Sequence, residues 1–167
     1  MEERESCIIV TVLIYVICMP QSLSCLLVHL IFSTKDRFPL LGHEDLLSRT
    51  HAYVGGILRD TNCPSLVVGG TADHVHAFFQ LSRTHHVAKV VEIIKSNSSR
   101  WLKSQGIHNF AWQRGYACFS VGKSQAETLV AYIRNQAEHH RHVSYQEEVR
   151  EFLKRYEVAF DERYAWD

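Results

Sequence analysis

The apolar positions along this chain change period several times, and each change marks an element. Cys25 to Thr34 (CLLVHLIFST) is almost continuously apolar and rich in β-formers, which predicts a buried strand. The stretch 35–42 contains Pro39 and Gly42 and reads as a loop. Glu44 to Arg59 carries Leu46, Leu47, Val54, Ile57 and Leu58 at helical spacing, with Gly55-Gly56 weakening its second half. Ser65 to Gly70 predicts a second strand, and Asp73 starts a third that runs through His74 to Leu81; the link from Gly69 to Asp73 suits a hairpin or a bulged turn. Val87 to Ser104 is the clearest amphipathic helix. Val87, Val90, Val91, Ile94, Ser98 and Trp101 share one face, while Lys89, Ser96, Arg100 and Lys103 fall opposite. Gly115 to Gly122 predicts a fourth strand. Ser124, with Glu127 three residues on, predicts a capping box opening a helix that runs to about His139. Tyr145 to Tyr156 predicts a last helix. The order βαββαβ plus two helices predicts an α+β fold, a ferredoxin-like or RRM-like antiparallel sheet with packed helices and a C-terminal helical addition.

Two patterns within these elements carry candidate chemistry. In Asp73-His74-Val75-His76 the imidazoles at i and i+2 of a strand project to the same face. Such a pair suits a divalent metal with open positions, and equally a solvated pair of strand histidines. Tyr132 and Gln136 lie at i and i+4 of the predicted helix. They fall on a flank beside the apolar stripe of Ala126, Leu129, Val130, Ile133 and Ala137, where a side chain reaches toward a neighbouring element or stays half-buried.

Composition narrows the class of protein without choosing a function. Lys plus Arg and Asp plus Glu both number 18 in 167 residues, which excludes a generally polycationic nucleic-acid coat. Basic residues still cluster locally. From Arg83 to Arg114 the chain has Arg83, Lys89, Lys95, Arg100, Lys103 and Arg114 against Glu92 alone, a candidate phosphate-binding surface or a plain solvated face. Lys35 and Arg37 form a second candidate patch, and Trp112 and Tyr116 are candidates for base stacking. The five cysteines contain no C-x-x-C pair, so a zinc ribbon and a disulfide framework are poorly supported, and reduced thiols in a cytoplasmic protein are expected.

The 11 histidines are unusually many. His29 lies on the first predicted strand and is a candidate to line the site on the sheet. His139, His140 and His142 sit at a predicted helix C-terminus, where the dipole favours imidazolium, and His140 is a spare candidate ligand four residues after Gln136. From Glu138 onward 5 basic and 8 acidic residues predict a solvated helical face and tail. Residues 1–18 look foreign to the rest. Ile8 to Met19 is apolar but for Thr11, too short for a membrane span of about 20 residues. Glu2, Glu3 and Glu5 are wrong for a signal peptide. A non-native or upstream leader at 1–18 and one domain over 19–167 are expected.

Taken together, DHVHAF and YIRNQAEHH, with HLIFSTKDRF before them and FDERYAWD at the end, resemble the insertion-sequence 200/605 transposases, the TnpA-type single-tyrosine HUH enzymes. The resemblance runs from about Met19 to the C-terminus. Its HUH motif falls on His74-Val75-His76, and its Tyr-x-x-x-Gln element on Tyr132 and Gln136. Ala77-Phe78-Phe79 departs from a usual Leu-rich run at positions expected in the core. The resemblance implies a DNA transposase that cleaves and rejoins single-stranded DNA at hairpin-bearing element ends. It implies Mg²⁺ or Mn²⁺ held by His74, His76 and Gln136, and Tyr132 as the nucleophile that becomes a 5′-phosphotyrosine. It also implies a homodimer. From the charge pattern, Lys35, Arg37, Arg83, Lys89, Arg100, Lys103 and Arg114 are the candidate DNA contacts, and no membrane attachment is expected. Two other classes compete: a metal-dependent phosphohydrolase, and a non-catalytic nucleic-acid-binding module on the same fold.

Overall fold

A computed structural model describes residues 23–163, 165 and 166; the leader expected at 1–18 lies outside the described residues. Four strands form one sheet: β1 (Leu27–Ser33), β2 (Ser65–Thr71), β3 (His74–Gln80) and β4 (Ala117–Val121). Their order is β2-β3-β1-β4 and every pairing is antiparallel, as the βαββαβ order predicts. The helices are α1 (Glu44–Asp60), α2 (Val87–Ser104), α3 (Ala126–Arg134), α4 (Gln136–His139) and α5 (Tyr145–Arg155).

Helices cover both faces of the sheet, and this explains the unbroken apolar run of β1, whose seven residues are all buried. Leu30 and Phe32 of β1 and Val75, Ala77 and Phe79 of β3 point toward α1 and α2. There they join Val54, Leu58, Val90, Ile94 and Leu102 in the main core. The alternate residues face α3, α4 and α5. Phe78 packs with Ala126 and Ile133 of α3, and Ile31 with Tyr145, Val149 and Leu153 of α5.

The end of β2 uses glycine twice. Gly70 has φ of 141°, and a Cβ there would lie 2.2 Å from the His74 carbonyl oxygen. A Cβ on Gly69 would lie 2.7 Å from the Ile133 carbonyl oxygen, so the missing side chain lets α3 close onto the sheet.

Two helix boundaries differ from expectation. The stretch opening at Ser124 is a short 3-10 turn, Lys123–Gln125, and α3 begins at Ala126 without a side-chain cap. The helix expected to run through to His139 breaks at Asn135 (φ −97°, ψ 18°), leaving Gln136 to open α4. The capping box lies instead at α5, where Ser144 and Glu147 bond reciprocally.

Candidate active site

The pleat of β1 and β3 sends His29, Ser33, His74 and His76 to the layer covered by α3–α5. Both motif histidines are buried, His74 at 1% exposure and His76 at 0%. A solvated strand pair is thereby excluded. Each imidazole is anchored through Nδ1. That of His74 lies 2.8 Å from Asp73 Oδ1 and 3.0 Å from Thr71 Oγ1, and that of His76 lies 2.9 Å from His29 Nε2. Anchored this way, a neutral imidazole donates from Nδ1 and turns the Nε2 lone pair toward the helices.

From the helical layer, α3 supplies Tyr132, α4 supplies Gln136 and α5 supplies Glu148. Gln136 is buried, not on a helix flank, because the break at Asn135 turns it inward. Its Oε1 lies 3.3 Å from His74 Nε2, and its Nε2 donates to Glu148 Oε1 at 2.9 Å. The Tyr132 hydroxyl donates to the same Glu148 oxygen and lies 3.2 Å from His139 Nε2. The other oxygen, Oε2, lies 3.4 Å from His76 Nε2 and 3.3 Å from His140 Nε2.

Glu148 corrects the reading of the C-terminal run as a solvated face. Its carboxylate is 3% exposed and joins both halves of the site. The sequence signal was available but weak. With Tyr145, Val149 and Leu153, all buried, Glu148 completes an inward face of α5 at i, i+3, i+4 and i+8.

The electrostatics follow from this burial. Desolvation lowers His76 to about 4 even though Glu148 pulls the other way, and burial together with His76 holds His29 well below its ordinary value. At His140 burial also opposes the charge, but the hydrogen bond and negative charge of Glu148 outweigh it and raise the pKa. Burial would raise Glu148, yet its contacts with His140, His76 and Tyr132 hold it well below the carboxylate range. Tyr132 is pushed up by burial and then by the neighbouring carboxylate, against smaller opposing effects of Gln136 and Arg155.

These donors fit a metal ion. One ligand atom from each of His74, His76, His140 and Glu148 lies within 4.8 Å of every other. His76 Nε2, His140 Nε2 and Glu148 Oε2 are buried yet make no aligned hydrogen bond. Orphaned buried polar atoms are costly, and three converging on one point are what a cation would satisfy.

Comparison with known proteins decides the family. The family model for IS200-like transposases matches residues 22–136, or 115 of the 167. The chain belongs to the IS200-like transposase family. Two solved structures share the fold. One is a protein described as a candidate transposase from Deinococcus radiodurans R1, 21% identical, with a TM-score of 0.58 over 71% of this chain and 95% of that one. The other is a REP-associated tyrosine transposase bound to a REP hairpin, 15% identical, with a TM-score of 0.54 over 75% of this chain and 76% of that one. No curated protein sequence matches. This IS200-like chain has no helix among its described residues long and apolar enough to cross a membrane.

The candidate DNA-contact residues of this transposase-family chain lie in three places. Lys89, Arg100 and Lys103 are exposed on α2, in the layer across the sheet from the histidines. Lys89 pairs with Glu92 at 3.0 Å, and Lys95 is drawn inward, donating to the Gln113 carbonyl at 3.0 Å. Arg83 follows β3 at the end of the strand remote from His74. Lys35, Arg37 and Arg114 lie at the His74 end, where Thr34 bonds the Asp73 carbonyl and pairs with Trp112, and Arg37 acts electrostatically on Asp73. The stacking candidates separate: Trp112 is core, donating to Ser98 Oγ at 2.9 Å, whereas Tyr116 is exposed. A cation that the sequence reading missed, Arg155 of α5, is exposed and lines a cleft of about 610 Å³ together with His29, Tyr132, Glu148 and Phe152.

Proposed function

We propose that this protein cleaves and rejoins single-stranded DNA at hairpin-bearing element ends, with Tyr132 as nucleophile. The observation that carries the reading is the position of the Tyr132 hydroxyl. It is held by Glu148, whose other oxygen faces the imidazoles of the HUH motif. The Tyr132 oxygen attacks the scissile phosphorus, the bond from phosphorus to the 3′ oxygen breaks, and the strand is left with a free 3′-OH and a 5′-phosphotyrosine. Glu148 Oε1 accepts the Tyr132 hydroxyl and so orients the phenol, and over the whole step the phenolic proton passes to the departing 3′ oxygen. Rejoining reverses these steps, so the bond energy is retained in the covalent link.

His74 and His76 from the strand side, with Gln136 from α4, would hold Mg²⁺ or Mn²⁺. Such an ion, when bound, polarises the phosphate and offsets its charge. Arg155, at the rim of the cleft beside Tyr132, is placed to bind a phosphate entering from solvent. The hairpin seen with the REP-associated relative supports a hairpin as the bound DNA here. Lys35, Arg37 and Arg114 are the backbone contacts best placed for it; Arg83, Lys89, Arg100 and Lys103 would contact DNA only where it extends past the fold's edge or to its far side. The Tyr132 and His76 rings lie 6.3 Å apart within this chain, which supports Tyr132 acting at its own subunit's histidines in a homodimer.

The test is incubation with single-stranded, hairpin-bearing DNA and Mn²⁺, read on a denaturing gel. A protein–DNA adduct supports the reading. Product without an adduct would favour a phosphohydrolase acting through metal-bound water, and hairpin binding without product would favour a non-catalytic binding module.

A further inference from the structure

We infer that His140 and Glu148 complete the metal site, adding a third imidazole and a carboxylate to His74, His76 and the Gln136 amide oxygen, so that the site is closed by α5 and selective for transition-metal ions over Mg²⁺. The inference deepens the proposed function and rests on it for the identity of the site. Both residues lie beyond position 136, where the match to the family model ends. Both therefore come from the stretch that follows that match, His140 just after α4 and Glu148 within α5.

Three observations converge. The ligand atoms of His74, His76, His140 and Glu148 lie within 4.8 Å of one another. The atoms His76 Nε2, His140 Nε2 and Glu148 Oε2 are buried without an aligned partner. Each member is also oriented from behind: His74 by Asp73, His76 by His29, His140 through Nδ1 on the Val143 carbonyl at 2.7 Å, and Glu148 through Oε1 by Gln136 and Tyr132. Ligands fixed by a second layer of hydrogen bonds, with lone pairs turned to one point, are the signature of a built metal site.

The donor chemistry sets the preference. Mg²⁺ favours an octahedron of oxygens and keeps several waters, whereas imidazole suits the later first-row ions. Three nitrogens beside two oxygens therefore favour Mn²⁺, and Zn²⁺ more strongly, over Mg²⁺. The two oxygens of Glu148 also divide the work. Oε2 faces the metal side and Oε1 faces Tyr132, so metal loading and nucleophile position are coupled through one carboxylate.

The test uses the full chain and metal alone, without DNA. Mn²⁺ binding is followed by electron paramagnetic resonance, with Mg²⁺ as competitor and circular dichroism to confirm folding. Glu148→Gln keeps size and hydrogen bonding but removes the anion, and His140→Ala removes one imidazole. Each should weaken Mn²⁺ binding by about 10-fold or more. His140→Ala should also reduce the margin of Mn²⁺ over Mg²⁺, while Glu92→Gln on the far layer should change nothing. Should a variant fail to fold, the wild-type chain still decides. Nitrogen hyperfine couplings on bound Mn²⁺ from three imidazoles are expected, and couplings from two or fewer would overturn the inference. Wild-type Mg²⁺ affinity equal to that for Mn²⁺, or undiminished Mn²⁺ binding in both folded variants, would also overturn it. A metal site with these properties in a protein that forms no DNA adduct would leave the inference standing and refute the proposed function instead.

Discussion

The two faces of the sheet are built from the same two central strands and do opposite jobs. Toward α1 and α2, β1 and β3 present Leu30, Phe32, Val75, Ala77 and Phe79, each at 0% exposure and surrounded by apolar side chains. One residue along, toward α3–α5, the same strands present His29, Ser33, His74 and His76, equally buried but hydrogen-bonded. A period of two thus divides stability from chemistry, and a one-residue slip would exchange them. Burial alone does not distinguish the faces; what distinguishes them is whether the buried groups have polar partners.

Substitutions should separate the two jobs. Phe79→Ala on the apolar face should cost about 3–5 kcal/mol of stability, read by chemical denaturation, with cleavage per folded molecule retained. His76→Ala on the other face should reduce cleavage by about 10³-fold or more, because it removes a ligand of the ion that would polarise the phosphate. Similar stability losses with similar activity losses at both positions would erase the distinction.

The pH response should come from the polar face as well. His76 has a folded pKa of about 4, below its unfolded value near 6.5, so folding favours its neutral form. Its contribution is fully present above about pH 6.5 and is lost as pH falls through 4, and His29 acts in the same sense. His140 is raised, so its contribution is present below about 6.5 and is lost as pH rises through its folded pKa. Metal-free protein should therefore lose roughly 3 kcal/mol between pH 6.5 and 4, as an order of magnitude for one buried imidazole. A flat stability profile over that window would contradict neutral, buried histidines.

Smaller effects should mark the seam between the layers. Gly69→Ala forces a Cβ onto Ile133 and shifts α3, which carries Tyr132. Cleavage should fall by about 10- to 100-fold with hairpin binding largely kept, the cost of a misplaced nucleophile. Smallest of all, Arg100→Ala with Lys103→Ala on the far layer should weaken hairpin binding by less than about threefold, whereas Lys35→Ala with Arg37→Ala should weaken it by about tenfold. The reverse ranking in a salt titration would place the DNA on the α2 side.

The two faces also differ in how far the sequence revealed them. Hydrophobic period gave the order of strands and helices, and the i, i+2 rule put His74 and His76 on one face. The break at Asn135 was not legible, because AETLVAYIRNQAEHH keeps helical periodicity through it. That break turns Gln136 inward and changes how Tyr132 and Gln136 are related. Glu148 was concealed by its neighbours: in a segment with more acidic than basic residues, one carboxylate among several reads as solvated. Only the packing of Tyr145, Val149 and Leu153 against Ile31 and Phe119 shows that this side of α5 faces the sheet. The basic stripe of α2 was legible as a stripe, but which side of the sheet it covered was not, since a helix pattern does not encode its layer.

The proposed chemistry turns on Tyr132, one of seven tyrosines. The most direct test is a peptide map of the protein–DNA adduct formed on single-stranded hairpin DNA, run for the wild-type chain beside Tyr132→Phe. The account predicts a 5′-phosphotyrosine at Tyr132 alone, and a folded Tyr132→Phe protein that binds hairpin DNA but forms neither adduct nor cleaved product. An adduct mapped to Tyr116 or Tyr145, or cleavage by Tyr132→Phe, would contradict it.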